Sequence, residues 1–206
     1  MNIINAETLG AAWLKCIKKV MDYGKLIKDG DENLLEICNL FIRIDSISQD
    51  DSIIQKYADA KRIELMHRKY ESMEPIEPFD VSYGKCLYCN QGIDQIKKIV
   101  QRLKEKPESK SATISLHTPQ DKKPTCLSLI DCKIRQNKLN MTAIYRSQNI
   151  YGSQPGNILA LSKIFIKIAN ALILNTGYFY LYIISAHIYE KDFNKVRNIL
   201  GHTTNG

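Results

Sequence analysis

Hydrophobic and polar residues follow two periods along the chain, one typical of helices and one typical of strands. Apolar residues recur every three or four positions from residue 6 to 23, which predicts an amphipathic first helix. The same spacing predicts helices over residues 51–70, 93–104, 155–174 and 191–200. Runs rich in Ile, Leu and aromatic residues predict strands over residues 34–47, 111–116, 126–134, 139–145 and 179–189.

The order of these elements limits the fold class. In the second half of the chain, strands and helices alternate around a sheet that is mostly buried, which indicates an α+β or α/β arrangement. The turn Gln136-Asn137-Lys138 joins two of these strands. The sequence contains no internal repeat and no long linker, so we expect one domain.

The composition is that of a globular domain, since 44% of the 206 residues are hydrophobic and 25% are charged. The formal net charge of +7 favours an anionic ligand, such as a nucleotide, a nucleic acid or an acidic surface. Because the basic residues are spread over several predicted elements, we do not expect a nucleic-acid partner. Residues 168–189 are apolar, but Asn170, Asn175 and His187 interrupt them, so we expect no membrane partner.

The six cysteines are unevenly spaced in a chain that is too large to need disulfides for stability. The first 15 residues lack the basic start and the apolar run of a secretory signal, so we expect free thiols in a reducing cytoplasm. Cys86 and Cys89 have the spacing of a zinc knuckle, but no second pair completes four ligands. We therefore expect no metal.

The polar residues that stand out lie in the last third of the chain. Arg146 and Ser147 end an apolar strand, and a guanidinium beside a hydroxyl group suits a phosphate. Residues 152–157 open a helix, where free backbone N–H groups favour polar ligands. His187 and Tyr189 share one face of the last strand by alternation. A solvated strand end, and a histidine and a tyrosine satisfied within the core, would explain the same residues.

These segments resemble, in their order, the thymidylate synthase family. The resemblance rests on Tyr83-Gly84-Lys85, Ile93-Asp94-Gln95-Ile96, Pro107-Glu108-Ser109, Pro124-Thr125-Cys126, Arg146-Ser147, the helix entry at residues 152–157 and Ala186-His187-Ile188-Tyr189. It covers residues 83–199, and the short N-terminal region is most similar to the archaeal-type branch. The resemblance implies a single α+β domain over residues 1–206, with a large mixed β-sheet flanked by helices, a divergent N-terminal part (1–80) and a family-like core (81–200).

The chemistry that this resemblance implies is the methylation of dUMP to dTMP. Cys126 would be the nucleophile, adding as a thiolate to C6 of the uracil ring so that C5 can attack a one-carbon donor. Tyr83 would assist removal of the proton from C5. For Cys126 alone, an ordinary buried cysteine in a strand is the structural alternative.

The resemblance also implies the contacts to the nucleotide. Arg146 and Ser147 would bind the phosphate, and His187 and Tyr189 would contact the 3′-hydroxyl group of the deoxyribose. Asn157 would read the pyrimidine edge, since an amide offers both a donor and an acceptor to uracil. In the related cytosine hydroxymethylases an Asp is typical at this position, so Asn157 favours dUMP over dCMP.

The sequence departs from the family's pattern at several positions. Lys110 and Ser111 stand where the family has two adjacent arginines that reach across a dimer interface, so we expect a monomer or a homodimer. Asn149 stands where the family usually has an Asp, and Leu127 where most members have a His. Neither change removes the nucleophile.

The general-base glutamate and the folate-contacting tryptophan of the family have no aligned counterpart upstream of Tyr83. The candidates for the base are four glutamates that a charged helix face explains equally well: Glu64, Glu71, Glu74 and Glu77. Trp13, the single tryptophan, lies on the apolar face of the first predicted helix, which favours a place in the core. Residues 201–206 lack the apolar ending that closes over folate in the family. We therefore expect a reduced pterin as donor, either methylenetetrahydrofolate or a methanopterin-type analogue.

Two alternatives to a thymidylate synthase remain open at this point. A pyrimidine nucleotide hydroxymethylase would form the same cysteine adduct and quench the methylene group with water. A nucleotide-binding protein without turnover would account for the missing general base and the altered tail.

Overall fold

A mixed β-sheet of seven strands carries the fold, and the computed structural model describes residues 2–117 and 124–203. The strands are β1 (Asn2–Ala6), β2 (Lys25–Asp29), β3 (Glu32–Ile44), β4 (Thr113–Ser115), β5 (Leu127–Arg135), β6 (Lys138–Asn149) and β7 (Asn175–Tyr189). The helices are α1 (Leu9–Tyr23), α2 (Ser52–Tyr57), α3 (Ala60–Glu71), α4 (Tyr83–Tyr88), α5 (Gln95–Glu105), α6 (Gln154–Leu172) and α7 (Phe193–Thr203). A short 3₁₀ helix at Glu190–Asp192 separates β7 from α7.

The strands follow the order β1–β3–β7–β6–β5–β4 across the sheet. β2 and β1 pair with the same edge of β3, β2 along its first half and β1 along its second half. β1 and β3 are parallel, as are β6 and β7, and the other neighbours are antiparallel. In the turn between β5 and β6, Gln136 and Asn137 have φ values of 51° and 56°. Positive φ at both positions is typical of the type I′ turn, whose twist matches that of paired strands. The predicted α+β domain with a mixed sheet flanked by helices is confirmed.

The side chains of the strands alternate between a face covered by helices and a more open face. In β7, Phe179, Leu181 and Ile183 are buried in the core that α1 and α6 share, whereas Tyr180 and Tyr182 are half-buried on the other face. Because β6 and β7 are parallel, α6 serves as the crossover between them. The carboxyl ends of both strands therefore lie side by side at one edge of the sheet.

Helix α3 is seated against α6 where the backbones of the two helices come very close. A Cβ atom at position 156 would lie 2.6 Å from the Cβ atom of Met66, so the crossing requires Gly156. This contact places one face of α3 beside the carboxyl ends of β6 and β7.

The predicted helix over residues 51–70 is wrong in its continuity, since the structure divides it into α2 and α3. The side chain of Asp59 accepts hydrogen bonds from the backbone N–H groups of Lys61 and Arg62, and this N-cap starts a new helix after Ala58. The remaining predicted helices and strands are present with ends that differ by a few residues.

Three elements, β1, β2 and α4, were not predicted. All five residues of β2 are exposed, so the strand has no alternation of apolar and polar positions. β1 ends at Ala6, which pairs with Ile44 instead of starting the first helix. α4 has six residues and is too short to show a helical period.

Residues 168–189 form the end of α6, a turn and β7, as their polar interruptions predicted. In the parts of the chain that the structure describes, no helix has both the length and the apolar character needed to cross a membrane.

Candidate active site

A cavity of about 300 Å³ lies at the carboxyl ends of β6 and β7, between the sheet, the start of α6 and α3. The structure brings together in its lining all the site residues predicted from the sequence: Tyr83, Cys126, Arg146, Ser147, Asn157, His187 and Tyr189. They come from five separate parts of the chain: α4, the segment before β5, β6, α6 and β7. Their convergence makes this cavity the candidate active site.

Arg146 fixes the backbone that leads into Cys126. Cys126 is half-buried immediately before β5, and its carbonyl oxygen accepts a hydrogen bond of 2.9 Å from the backbone N–H of Arg146. The guanidinium Nε donates to the carbonyl oxygen of Thr125 at 3.1 Å, and Nη2 donates to that of Pro124 at 2.9 Å. A planar guanidinium has five N–H groups, so donors remain for an anion in the cavity.

Tyr83 lies next to the backbone of Cys126, in a group of buried phenols. Its hydroxyl oxygen accepts a hydrogen bond of 3.2 Å from the backbone N–H of Leu127, and its ring meets the ring of Tyr70 edge-on at 4.8 Å. The hydroxyl groups of Tyr70 and Tyr145 are 2.9 Å apart. Burial raises the pKa of Tyr83 above its ordinary value, so the phenol keeps its proton at neutral pH and can donate it in a hydrogen bond.

Two buried amides line the cavity with unsatisfied polar atoms. Asn157, in the first turn of α6, is 5% exposed, and its Oδ1 has no hydrogen-bond partner among the described residues. Gln148 is 2% exposed, and within the same described ranges neither its Nε2 nor its Oε1 has a partner. A buried amide without a partner costs about 1–3 kcal/mol. Such groups are typical of a site that completes its hydrogen bonds with a ligand.

His187 and Tyr189 lie together at the carboxyl end of β7. Their ring centroids are 5.1 Å apart, and the backbone of His187 pairs with that of Asn149 across β6 and β7. Burial lowers the pKa of His187 below its ordinary value, so the imidazole is neutral at pH 7. A neutral imidazole suits a hydroxyl group better than it suits a phosphate. Asn149 itself starts the connection to α6, since its Oδ1 accepts a hydrogen bond of 2.8 Å from the backbone N–H of Gly152.

Helix α3 and the segment before α4 provide a part of the cavity that was not predicted from the sequence. Lys69, Phe79 and Asp80 line this side. A signal for Lys69 was present in the sequence, because helical spacing places it on the same face of α3 as the buried Met66 and Tyr70. Gln148 was missed as well, since nothing in an alternating strand distinguishes a buried amide from an exposed one.

The candidates for the general base do not lie at the cavity. All four glutamates are exposed and none of them lines it: Glu64, Glu71, Glu74 and Glu77. Among the described lining residues, Asp80 is the carboxylate. Trp13 is fully buried under the sheet, and its Nε1 donates a hydrogen bond of 2.9 Å to the carbonyl oxygen of Ile150, so its predicted place in the core is confirmed.

Other features singled out in the sequence lie away from the cavity. Lys110 and Ser111 are exposed and do not line it. Residues 201–203 of the tail belong to the last turn of α7, and residues 204–206 lie outside the described part of the chain. In that described part, no group of three or more side chains is arranged to hold a metal ion.

Comparisons with known proteins identify the family of the chain. The family model described as thymidylate synthase matches residues 48–205. A protein of Methanosarcina mazei named "Putative thymidylate synthase" is 30% identical over 204 residues, which cover 96% of this chain and 94% of that protein. A protein of the same name from Methanothermobacter marburgensis is 27% identical and covers 96% of this chain and 97% of its own.

A thymidylate synthase of Mycoplasma genitalium is 31% identical over 126 residues, which cover 59% of this chain and 44% of that protein. The match of the family model extends over most of the chain and includes every residue of the cavity. The chain therefore belongs to the thymidylate synthase family and is an enzyme of the methyltransferase type.

Proposed function

We propose that this enzyme methylates dUMP to dTMP through a covalent adduct between Cys126 and C6 of the uracil ring, with a reduced pterin as the one-carbon donor. The observation that carries the proposal is the cavity itself, which places a half-buried cysteine among an arginine, two unsatisfied amides and a neutral histidine. A phosphate, a pyrimidine and a sugar hydroxyl group match these groups in charge and in hydrogen bonding.

The nucleotide would be bound through three kinds of contact. Arg146, with its remaining donors, and Ser147 would hold the phosphate. Asn157 would satisfy its buried amide on the edge of uracil, which favours dUMP over dCMP. His187 and Tyr189 would contact the 3′-hydroxyl group, for which a neutral imidazole is suited.

The chemical step would begin when the thiolate of Cys126 forms a bond to C6 and the electron pair of the C5–C6 double bond moves towards C5 and O4. The buried phenol of Tyr83 is next to the backbone of this cysteine, and it would assist the later loss of the C5 proton. When bound, the reduced pterin would supply both the methylene group that C5 attacks and the hydride that reduces it to a methyl group. The Cys126 thiolate would then leave C6, which restores the C5–C6 double bond and releases dTMP. Pro78, Phe79 and Val81 give the cavity an apolar side that fits the flat ring of a reduced pterin, either methylenetetrahydrofolate or a methanopterin-type analogue.

Release of tritium from [5-³H]dUMP tests this proposal. We expect release by the wild-type enzyme in the presence of a reduced pterin, and a loss of more than a thousandfold in Cys126→Ala, because the adduct cannot form. Cys38→Ala is the matched control, since Cys38 is exposed on β3 and does not line the cavity.

The other outcomes of this experiment separate the alternatives. Tight dUMP binding without tritium release, with both donors tried, would contradict the proposal and favour a nucleotide-binding protein without turnover. A hydroxymethyl product would favour a pyrimidine nucleotide hydroxymethylase. We place the enzyme in the reducing cytoplasm that the sequence predicts, where the thiol of Cys126 stays free. Light scattering would distinguish between a monomer and a homodimer, both of which the sequence leaves open.

A further inference from the structure

Lys69 is a buried cation at the cavity, and the proposed chemistry above gives it no role. It is 8% exposed, and its Nζ lies 3.9 Å from the centroid of the Phe79 ring and 4.0 Å from that of the Tyr83 ring. Both rings line the same cavity as Cys126. In the described parts of the chain, Lys69 forms neither a salt bridge nor a hydrogen bond through its side chain.

An ammonium group in this environment is costly to keep. Loss of hydration lowers the pKa of Lys69 to about 8, while the negative charge of an ionised Cys126 would raise it. The two ring faces offset part of the lost hydration through cation–π interactions, but they carry no net charge. Among the described residues, this positive charge has no carboxylate partner. It lies over the ring of Tyr83, whose hydroxyl oxygen accepts a hydrogen bond from the residue after Cys126, and both Lys69 and Cys126 line the cavity.

We propose that Lys69 is a positioning residue whose ammonium group, held between Phe79 and Tyr83, stabilises the thiolate form of Cys126. This inference rests on the proposed function, in which that thiolate attacks C6. Arg146, whose guanidinium donates to the carbonyl oxygens of Pro124 and Thr125, is a second cation at the cavity and can also act on the thiolate.

The effect of Lys69 on the thiolate depends on pH, and other groups share its surroundings. The titratable and charged groups that line the cavity or act on Lys69 are Asp80, Tyr83, Cys86, Cys126, Arg146, His187 and Tyr189. His187 is neutral above its lowered pKa and Tyr83 is neutral below its raised one, so neither changes charge between about pH 7 and pH 9. Lys69 is mainly protonated at pH 7, because its pKa is about 8.

The test is the rate at which iodoacetamide alkylates Cys126, followed by peptide mass spectrometry between pH 5 and pH 10 without nucleotide. The readout is the rate at pH 7 divided by the plateau rate at pH 10, so that a change in the accessibility of Cys126 cancels. We expect Lys69→Met to lower this ratio about tenfold, because a thiol beside a lysine ionises more readily. Lys69→Arg keeps the charge and should stay within about threefold of the wild type.

Lys167→Met is the matched control. Lys167 also lies over a tyrosine ring, with its Nζ 4.7 Å from the centroid of Tyr88, but it does not line the cavity. Its ratio should equal that of the wild type. A ratio in Lys69→Met equal to that of the wild type would overturn the proposal, and so would an equal fall in Lys69→Met and Lys167→Met.

The outcome is independent of the proposed function, since the assay needs neither dUMP nor a donor. A protein that alkylates with dependence on Lys69 but releases no tritium would keep this inference and refute the function. A protein that releases tritium, and in which the alkylation of Cys126 does not depend on Lys69, would refute this inference and keep the proposed function.

Discussion

The two sides of the cavity are built in different ways. On the sheet side, Arg146, Ser147, His187 and Tyr189 project from β6 and β7, whose backbones are held in parallel register up to the pair Asn149 and His187. On the helical side, the lining residues come from α3 and from the segment that leads into α4, which no strand pairing connects. Groups on the sheet side are placed by backbone hydrogen bonds, whereas those on the helical side are placed by side-chain packing.

This difference explains which side carries the recognition of the substrate in our proposal. Ladder hydrogen bonds fix the positions of alternate residues, so the sheet side is suited to contacts that require exact geometry with a phosphate and a sugar. The helical side contributes a buried charge and aromatic rings, whose effects vary less steeply with position. Substitutions on the two sides should therefore affect different properties.

The largest effect is expected on the sheet side, from Arg146→Ala. The affinity for dUMP should fall at least a hundredfold, or about 3 kcal/mol, because a charged pair with the phosphate is lost. The affinity for deoxyuridine, which has no phosphate, should change less than threefold. Calorimetry with both ligands measures the two losses, and Arg43→Ala, which removes a half-buried arginine of β3 that does not line the cavity, is the control. Equal losses for the two ligands would remove Arg146 from the phosphate site.

On the helical side, Lys69→Met should stabilise the protein at pH 7 by about 2 kcal/mol, because a buried charge is replaced by an apolar side chain. The folded-state pKa of Lys69 is lowered from 10.5 to about 8. As pH rises from about 8 to 10.5, folded Lys69 is neutral while unfolded Lys69 is still charged, so the free energy of unfolding of the wild type increases. Urea unfolding should show a smaller difference in the free energy of unfolding between Lys69→Met and the wild type at pH 10 than at pH 7. An advantage that is the same at both pH values would contradict the buried ammonium.

The smallest effect is expected where the two sides meet, at Asn157→Asp. The preference for dUMP over dCMP should fall about tenfold, since a carboxylate accepts a hydrogen bond from the amino group of cytosine and offers no donor to O4 of uracil. The ratio of kcat/KM for the two nucleotides measures this change, and their common sugar and phosphate provide an internal control. An unchanged ratio would show that Asn157 does not read the base.

The sequence predicted the sheet side well for a physical reason. A two-residue alternation and the turn at Gln136 and Asn137 depend only on local residues, so the hairpin of β5 and β6 and the face shared by His187 and Tyr189 could be predicted. β2 could not, because its exposed residues have no pattern, and it forms only by pairing with β3.

The helical side could not be predicted in the same way. A lysine in a charged amphipathic helix is typical of a solvated face, but in the fold the rings of Phe79 and Tyr83 cover the ammonium group of Lys69. The glutamates of residues 64–77 show the opposite case, since their number suggested a general base while the fold leaves all of them exposed. In both cases the pattern of charges along the chain does not show which side chains the fold buries.

The close crossing of α3 and α6, which depends on the lack of a Cβ atom at Gly156, links the two sides. Gly156 precedes Asn157, and the Met66 that it touches lies one helical turn before Lys69. The distance between the amide of Asn157 and the ammonium group of Lys69 therefore depends on the absence of a side chain at position 156. Gly156 does not line the cavity, but Met66 does, so a side chain at position 156 would displace Met66 and change the width of the pocket that we propose for the pyrimidine.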